Sequence, residues 1–201
     1  VPNAYNMLDR SGSRLIPVSP SISQFPSNPS ILINSYTASA SEIMAIAVKD
    51  ANAGTLIGQK SFGKGSIQSF YELSNEGALK LTTSHFKGPK GTTVNRVGIN
   101  PNQIVVAGKE VAVAHLNQIQ RQLNIKRYKQ TSTLNQVTSN KTFTVKFSDN
   151  MQFSEEQNVS KIELVKMGGK AVPITWSKKD ETSLLVTPTQ LLEKNETYML
   201  I

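Results

Sequence analysis

The stretch Ile31-Leu32-Ile33-Asn34-Ser35-Tyr36-Thr37-Ala38-Ser39-Ala40-Ser41-Glu42-Ile43-Met44-Ala45-Ile46-Ala47-Val48 decides how this chain is read. Its first residues are a short apolar run rich in β-branched side chains, the pattern of a buried strand. Small polar residues follow. Ile43, Met44, Ile46, Ala47 and Val48 then recur at helical spacing, with Gly54 expected as the stop. Strand, small-residue turn and helix together present one side chain at a helix N-terminus, where unpaired N–H groups and the dipole favour developing negative charge. A serine placed there attacks a carbonyl with donors ready for the oxyanion it creates. Ser39 holds that position. Ser39-x-x-Glu42 is also a capping box, a pattern with which many helices begin, so this stretch alone leaves both readings open.

Lys64 shifts the balance. It lies between Gly63 and Gly65, at the mouth of the run Ser66-Ile67-Gln68-Ser69-Phe70-Tyr71. In a strand, residues two apart share a face, so Lys64, Ser66 and Gln68 are expected to point the same way. The flanking glycines let the backbone pass close to its neighbours. A lysine serves as general base only when neutral near the working pH, which requires a pKa lowered from about 10.4 to about 7–8, at roughly 3–4 kcal/mol. Burial and the lack of a nearby carboxylate are the conditions for that. Residues 55–70 contain no Asp or Glu, and Gln68 could hold the amine by a neutral hydrogen bond. The plainer reading is an exposed lysine in a glycine turn.

Together, Thr37-Ala38-Ser39-Ala40-Ser41-Glu42 and Phe62-Gly63-Lys64-Gly65-Ser66-Ile67-Gln68 resemble the signature of the carboxy-terminal processing peptidases, or tail-specific proteases, the S41 family of serine peptidases. The resemblance runs over residues 31–106. It takes in Gly77-Ala78-Leu79-Lys80-Leu81-Thr82-Thr83, the Pro89-x-Gly91 turn and Gly98-Ile99-x-Pro101. It implies an α/β fold with a ClpP/crotonase-like protease core, incomplete here, and no cofactor or metal. It implies Ser39 as nucleophile, Lys64 as general base, Gln68 as the residue orienting the lysine, and the Ala40 backbone N–H as an oxyanion donor. The substrates implied are proteins or peptides cut near their C-termini, not nucleic acid. Asn102 departs from the pattern, since the family usually carries Asp after that proline. Family members take a second oxyanion donor from an upstream glycine-rich strand and turn, and often carry a PDZ module. Neither occurs in these residues.

The composition frames this reading. The 201 residues suffice for one medium domain or two small ones, and contain no run of about 18 apolar residues. The first residue is Val rather than Met, and residues 197–201 read as a strand cut in progress, so the chain is expected to be an internal piece of a longer protein. The absence of cysteine excludes disulfides, thiol catalysis and Cys-based metal sites. The two histidines, His85 and His115, have no partner at metal-ligand spacing and suit neither a metal site nor a Ser/His/Asp triad. Residues 1–139 carry 14 Lys and Arg against 6 Asp and Glu, whereas residues 140–201 carry 8 of each. The positives are scattered, with only Lys126-Arg127-Tyr128-Lys129 clustered, so a solvated surface fits better than a nucleic-acid platform.

Along the chain, residues 1–8 read as a helix end, 9–12 as a turn, and 13–18 as a strand. A Pro- and Ser-rich loop through Pro20, Pro26 and Pro29 then leads to Ile31. Residues 66–73 and 78–86 form a hairpin across Ser74-Asn75-Glu76-Gly77. Short strands are expected near 93–97 and 103–106, and an amphipathic helix over 110–124 closes the first domain. The expected organisation is residues 1–124 as the C-terminal part of a peptidase catalytic domain, 125–139 as a linker and 140–201 as a second domain. In that last part five segments alternate with period two, at Phe143–Phe147, Ile162/Leu164, Val172/Ile174/Trp176, Leu184/Val186 and Tyr198/Leu200, which indicates an all-β sandwich. Lys141-Thr142-Phe143-Thr144-Val145-Lys146-Phe147-Ser148-Asp149-Asn150-Met151, with Thr187-Pro188 and Asn195-x-Thr197-Tyr198, resembles the bacterial Ig-like domains of surface-layer and cell-wall proteins, truncated here. Asp149, Glu155 and Glu156 read as a solvated acidic loop rather than a calcium site.

The leading expectation is therefore a serine endopeptidase with a Ser39/Lys64 dyad, exported to a bacterial cell envelope or beyond, with membrane or cell-wall association and an upstream PDZ module left open. The alternative is a non-catalytic surface protein for binding or anchoring, built on a decayed protease scaffold. An acyl-transferase or hydratase on the crotonase-like scaffold is disfavoured, because nothing suggests a site for CoA.

Overall fold

The computed structural model describes residues 2–19, 27–150 and 162–201. Pro20, Pro26, Glu155 and Glu156 lie outside them. By packing, the chain divides into Val1–Glu110 and Val111–Ile201. The first unit runs β1 (Asn3–Asp9), β2 (Gly12–Pro17), β3 (Ser30–Ile33), α1 (Ala40–Asp50), β4 (Thr55–Gly58), β5 (Ser66–Glu72), β6 (Ala78–Lys87) and β7 (Gln103–Ile104).

Two sheets form this unit. β3, β4 and β7 make a parallel sheet in that order, and α1 is the crossover between β3 and β4. The second sheet is antiparallel, in the order β2-β1-β6-β5, which leaves β5 at an edge. The opening residues are thus a strand and not the expected helix end. Ser11 N–H donates to Asp9 Oδ1 at 2.8 Å and Gly12 takes φ 122, so the chain reverses into β2. β1 is then completed by Met7 and Leu8 pairing with Phe86 and His85 of β6, a long-range partner that local periodicity does not reveal.

Helix α1 turns Glu42, Ala45, Ile46, Ala47 and Asp50 inward, the i, i+3, i+4 spacing of one face, and leaves Met44 outside. It stops earlier than expected. Asn52 takes a left-handed φ of 52, and Gly54 serves a close approach instead: a Cβ there would lie 2.6 Å from the Pro29 carbonyl oxygen. The core joins Ile33, Ala45, Ile46, Leu56, Phe86, Val94 and Ile99, and Tyr5 meets Phe86 edge to face at 6.1 Å. No strand forms at 93–97. Val97 N–H and Gly98 N–H both return to the Val94 carbonyl, and Arg96 takes φ 60, so the segment is a tight turn. Asn102 pins β4, accepting from Leu56 N–H at 2.9 Å and donating its own N–H to the Leu56 carbonyl at 2.8 Å. Gln59 donates to Glu110 Oε1 at 2.7 Å. That bond, more than the helix's own backbone or the bond from Gly108, holds the Glu110 carboxyl below its ordinary value of 4.5.

The second unit contains α2 (Glu110–Ile125), which the packing division cuts at its first residue, then β8 (Phe143–Lys146), β9 (Leu164–Lys166), β10 (Ala171–Val172), β11 (Ile174–Asp180), β12 (Ser183–Pro188) and β13 (Tyr198–Leu200). These strands make two three-stranded antiparallel sheets, ordered β10-β9-β13 and β11-β12-β8. The expected third segment is two strands, because Pro173 has no N–H to give a ladder. Leu164, Val165, Met167, Leu184, Val186 and Leu192 supply the buried apolar side chains. His115 of α2 accepts from Gly168 N–H through Nδ1 at 3.1 Å.

Candidate active site

The end of β3 feeds a turn in which Ser41 N–H donates to the Ala38 carbonyl at 3.2 Å. Ser39, the first central residue, takes φ 56 and ψ −118. That is the leading position of a type II′ turn, where glycine is favoured and an L side chain is strained. Helix α1 starts at the next residue. Glu42 N–H and Ile43 N–H donate to the Ser39 carbonyl at 2.8 and 3.0 Å, and Ser39 N–H donates to Glu42 Oε2 at 3.0 Å. The Glu42 half of the capping box therefore holds, its carboxylate accepting from the Ser39 N–H. Ala40, as first helical residue, leads with an N–H that has no intrahelical acceptor.

Lys64 lies just before β5, in a loop whose glycines are both required. Gly63 takes φ 91, and a Cβ on Gly65 would sit 2.7 Å from Asn95 N. The loop is tied to the Ser39 turn at several points. Phe62 N–H donates to the Thr37 carbonyl at 2.9 Å, Gly63 N–H to Glu42 Oε1 at 2.7 Å and Lys64 N–H to Glu42 Oε2 at 2.8 Å. Ser61 Oγ–H donates to Glu42 Oε1 as well, and accepts from Ile99 N–H at 2.7 Å. A carboxylate therefore does reach the Lys64 loop, contrary to what residues 55–70 alone suggest. It arrives from α1, 22 positions away in sequence.

Ser39, Ala40, Lys64 and Gln68 border one cleft of about 400 Å³, together with Tyr5, Ile43, Ser66, Ile67, Phe70, Lys80 and Phe86. The two charged residues among them are lysines, and among the described residues no carboxylate lines the cleft. Lys80 Nζ stands 5.4 Å over the Phe70 ring, its cross-strand partner. Tyr5, Phe70, Lys80 and Phe86 were not legible as cleft residues, because only the pairing of β1 with β6 and of β6 with β5 brings them there. Glu42 was legible as a cap and no further.

The architecture is thus a mixed α/β unit with a serine at the head of its crossover helix, followed by a unit of one helix and two antiparallel sheets. Residues 10–105 match peptidase family S41, and residues 119–201 match the bacterial Ig-like domain family. The chain is 48% identical over 75 residues to a carboxy-terminal-processing protease of Bartonella bacilliformis, covering 37% of this chain and 17% of that protein. It is 43% identical over 75 residues to a carboxyl-terminal-processing protease of Synechocystis sp., covering 37% and 18%. The chain thus spans less than a fifth of the length of these relatives. Among solved structures, the photosystem II D1 C-terminal processing protease is 31% identical with a TM-score of 0.45, over 51% of this chain and 27% of that one.

Proposed function

We propose that this chain carries the Ser/Lys dyad of a serine endopeptidase that cleaves proteins near their C-termini. The observation that carries the reading is Ser39 at φ 56, ψ −118, heading a helix on the cleft it shares with Lys64 and Gln68. Strain of this kind persists only where the surroundings enforce it, and a strained strand-to-helix turn is how other serine hydrolases expose a nucleophile. In the proposed reaction Lys64, as general base, takes the Ser39 hydroxyl proton as Oγ bonds to the scissile carbonyl carbon. The Ala40 N–H and the start of α1 stabilise the resulting oxyanion. The C–N bond then breaks, the leaving amine takes the proton from Lys64, and water hydrolyses the acyl-enzyme by the same route. Gln68 is proposed to orient the lysine.

A position in the bacterial cell envelope or outside the cell is part of the proposal and is supported by the Ig-like domain. The test is hydrolysis of unstructured polypeptide by the full-length protein. Ser39→Ala and Lys64→Ala are each expected to abolish turnover while leaving the fold intact, and turnover retained by either variant refutes the dyad.

A further inference from the structure

We propose that Glu42 is the positioning residue of this site: its buried carboxylate fixes the Ser39 turn against the Lys64 loop and, being fully occupied, leaves the Lys64 amine without an anionic partner. This rests on the peptidase reading. Glu42 is 0% exposed. A buried carboxylate is tolerated only when its hydrogen-bonding capacity is met. Oε2 accepts from both Ser39 N–H, at 3.0 Å, and Lys64 N–H, at 2.8 Å. The backbone nitrogens of the proposed nucleophile and base are therefore no farther apart than those two lengths laid end to end. Oε1 accepts from Ser61 Oγ–H and Gly63 N–H.

A carboxylate offers about four lone-pair positions, and here neutral donors fill them all. Among the described residues neither Glu42 nor Lys64 takes part in an ion pair. The same oxygen that holds the Lys64 backbone in place is thus not free to hold its side chain as an ammonium. The second tie, from Phe62 N–H to the Thr37 carbonyl, joins the same two segments and keeps the contact in register.

The test uses the full-length protein. Glu42→Gln preserves side-chain size but replaces one oxygen by an amide donor, so whichever oxygen is lost, Gly63 or Lys64 faces a donor. A displacement of about 1 Å at such a site costs on the order of 100-fold in rate, so kcat for peptide hydrolysis is expected to fall ~100-fold with KM within ~3-fold. The backbone amides of residues 61–65 should exchange faster with deuterium, while circular dichroism stays that of the folded protein. Glu42→Asp keeps the charge but is one methylene short. It should lose kcat by a smaller factor, and it supplies the measurement if the Gln variant does not fold. Wild-type kcat in a folded Glu42→Gln protein overturns the proposal. So does exchange that rises across the whole first unit with activity falling only in step with the fraction unfolded. A wild-type protein that hydrolyses nothing sinks the peptidase reading instead; unchanged exchange at residues 61–65 in Glu42→Gln then sinks the clamp independently.

Discussion

Replacing Ser39 by glycine and by alanine separates the backbone of this residue from its hydroxyl. An L side chain held at φ 56, ψ −118 costs about 1–3 kcal/mol. Glycine escapes that cost but gives back roughly 0.5–1 kcal/mol through the greater freedom of its unfolded chain. Both variants lack the hydroxyl, so its bonds cancel in the comparison. Ser39→Gly is therefore expected to be more stable than Ser39→Ala by about 1 kcal/mol, within the roughly 0–2.5 kcal/mol that these two ranges span, a gap of about 0.5 M in urea midpoint for a typical small-domain slope. Hydrogen exchange of peptides covering residues 30–58, followed across a urea series, reads the first unit. Trp176, the sole tryptophan and part of the second unit, provides a fluorescence control that should not move. Neither variant should hydrolyse peptides. If Ser39→Ala proves more stable than Ser39→Gly, the turn stores too little strain to offset the entropy of glycine, and its geometry no longer speaks for a side chain kept there for chemistry.

Other perturbations bear on the scaffold. Asn102→Ala removes the acceptor for Leu56 N–H on the buried strand β4 and should cost about 1–2 kcal/mol in thermal or urea unfolding; Asn102→Asp keeps an acceptor and should lie within about 0.5 kcal/mol of wild type. Gly58→Ala would put a Cβ 2.0 Å from the Ile33 carbonyl oxygen at φ 131, so a loss of roughly 3 kcal/mol or more is expected, and wild-type exchange protection in β3 and β4 would contradict the parallel register that pairs Ile33 with Gly58. Glu110 is held below its ordinary value of 4.5, chiefly by Gln59, so its contribution to stability is full above the unfolded-state value and fades as pH falls through the lower folded value. Glu110→Gln should accordingly be less stable than wild type at pH 7, with the difference shrinking below about pH 4. A difference independent of pH would show that the Gln59 bond does not depend on the charge.

How much of this was legible depends on the range of each interaction. The strand at Ile31, the start and body of helix α1, the β5–β6 hairpin and the alternation around Phe143–Val145 and Leu184–Val186 are written in local periodicity and turn chemistry, and each forms close to where it is expected. Residues 3–8 and 93–97 misled because their conformations are set elsewhere, by β6 for the first and by the Val94 carbonyl for the second. Gly54 looked like a helix stop, yet its role is room for Pro29, which no sequence window shows. The same limit governs the site. Ser39 and Lys64 stand out by their neighbours, but the carboxylate joining them was assigned to a cap, since its partners at Ser61, Gly63 and Lys64 are 19 to 22 positions away.

Whether Lys64 activates Ser39 is the central question, and a serine-reactive fluorophosphonate probe reads it most directly in the full-length protein. A single adduct is expected, mapped by mass spectrometry to Ser39, present in wild type and missing from both Ser39→Ala and Lys64→Ala. An adduct at Ser39 that forms as fast without Lys64, or no adduct at Ser39 in a protein that hydrolyses peptides, contradicts the dyad.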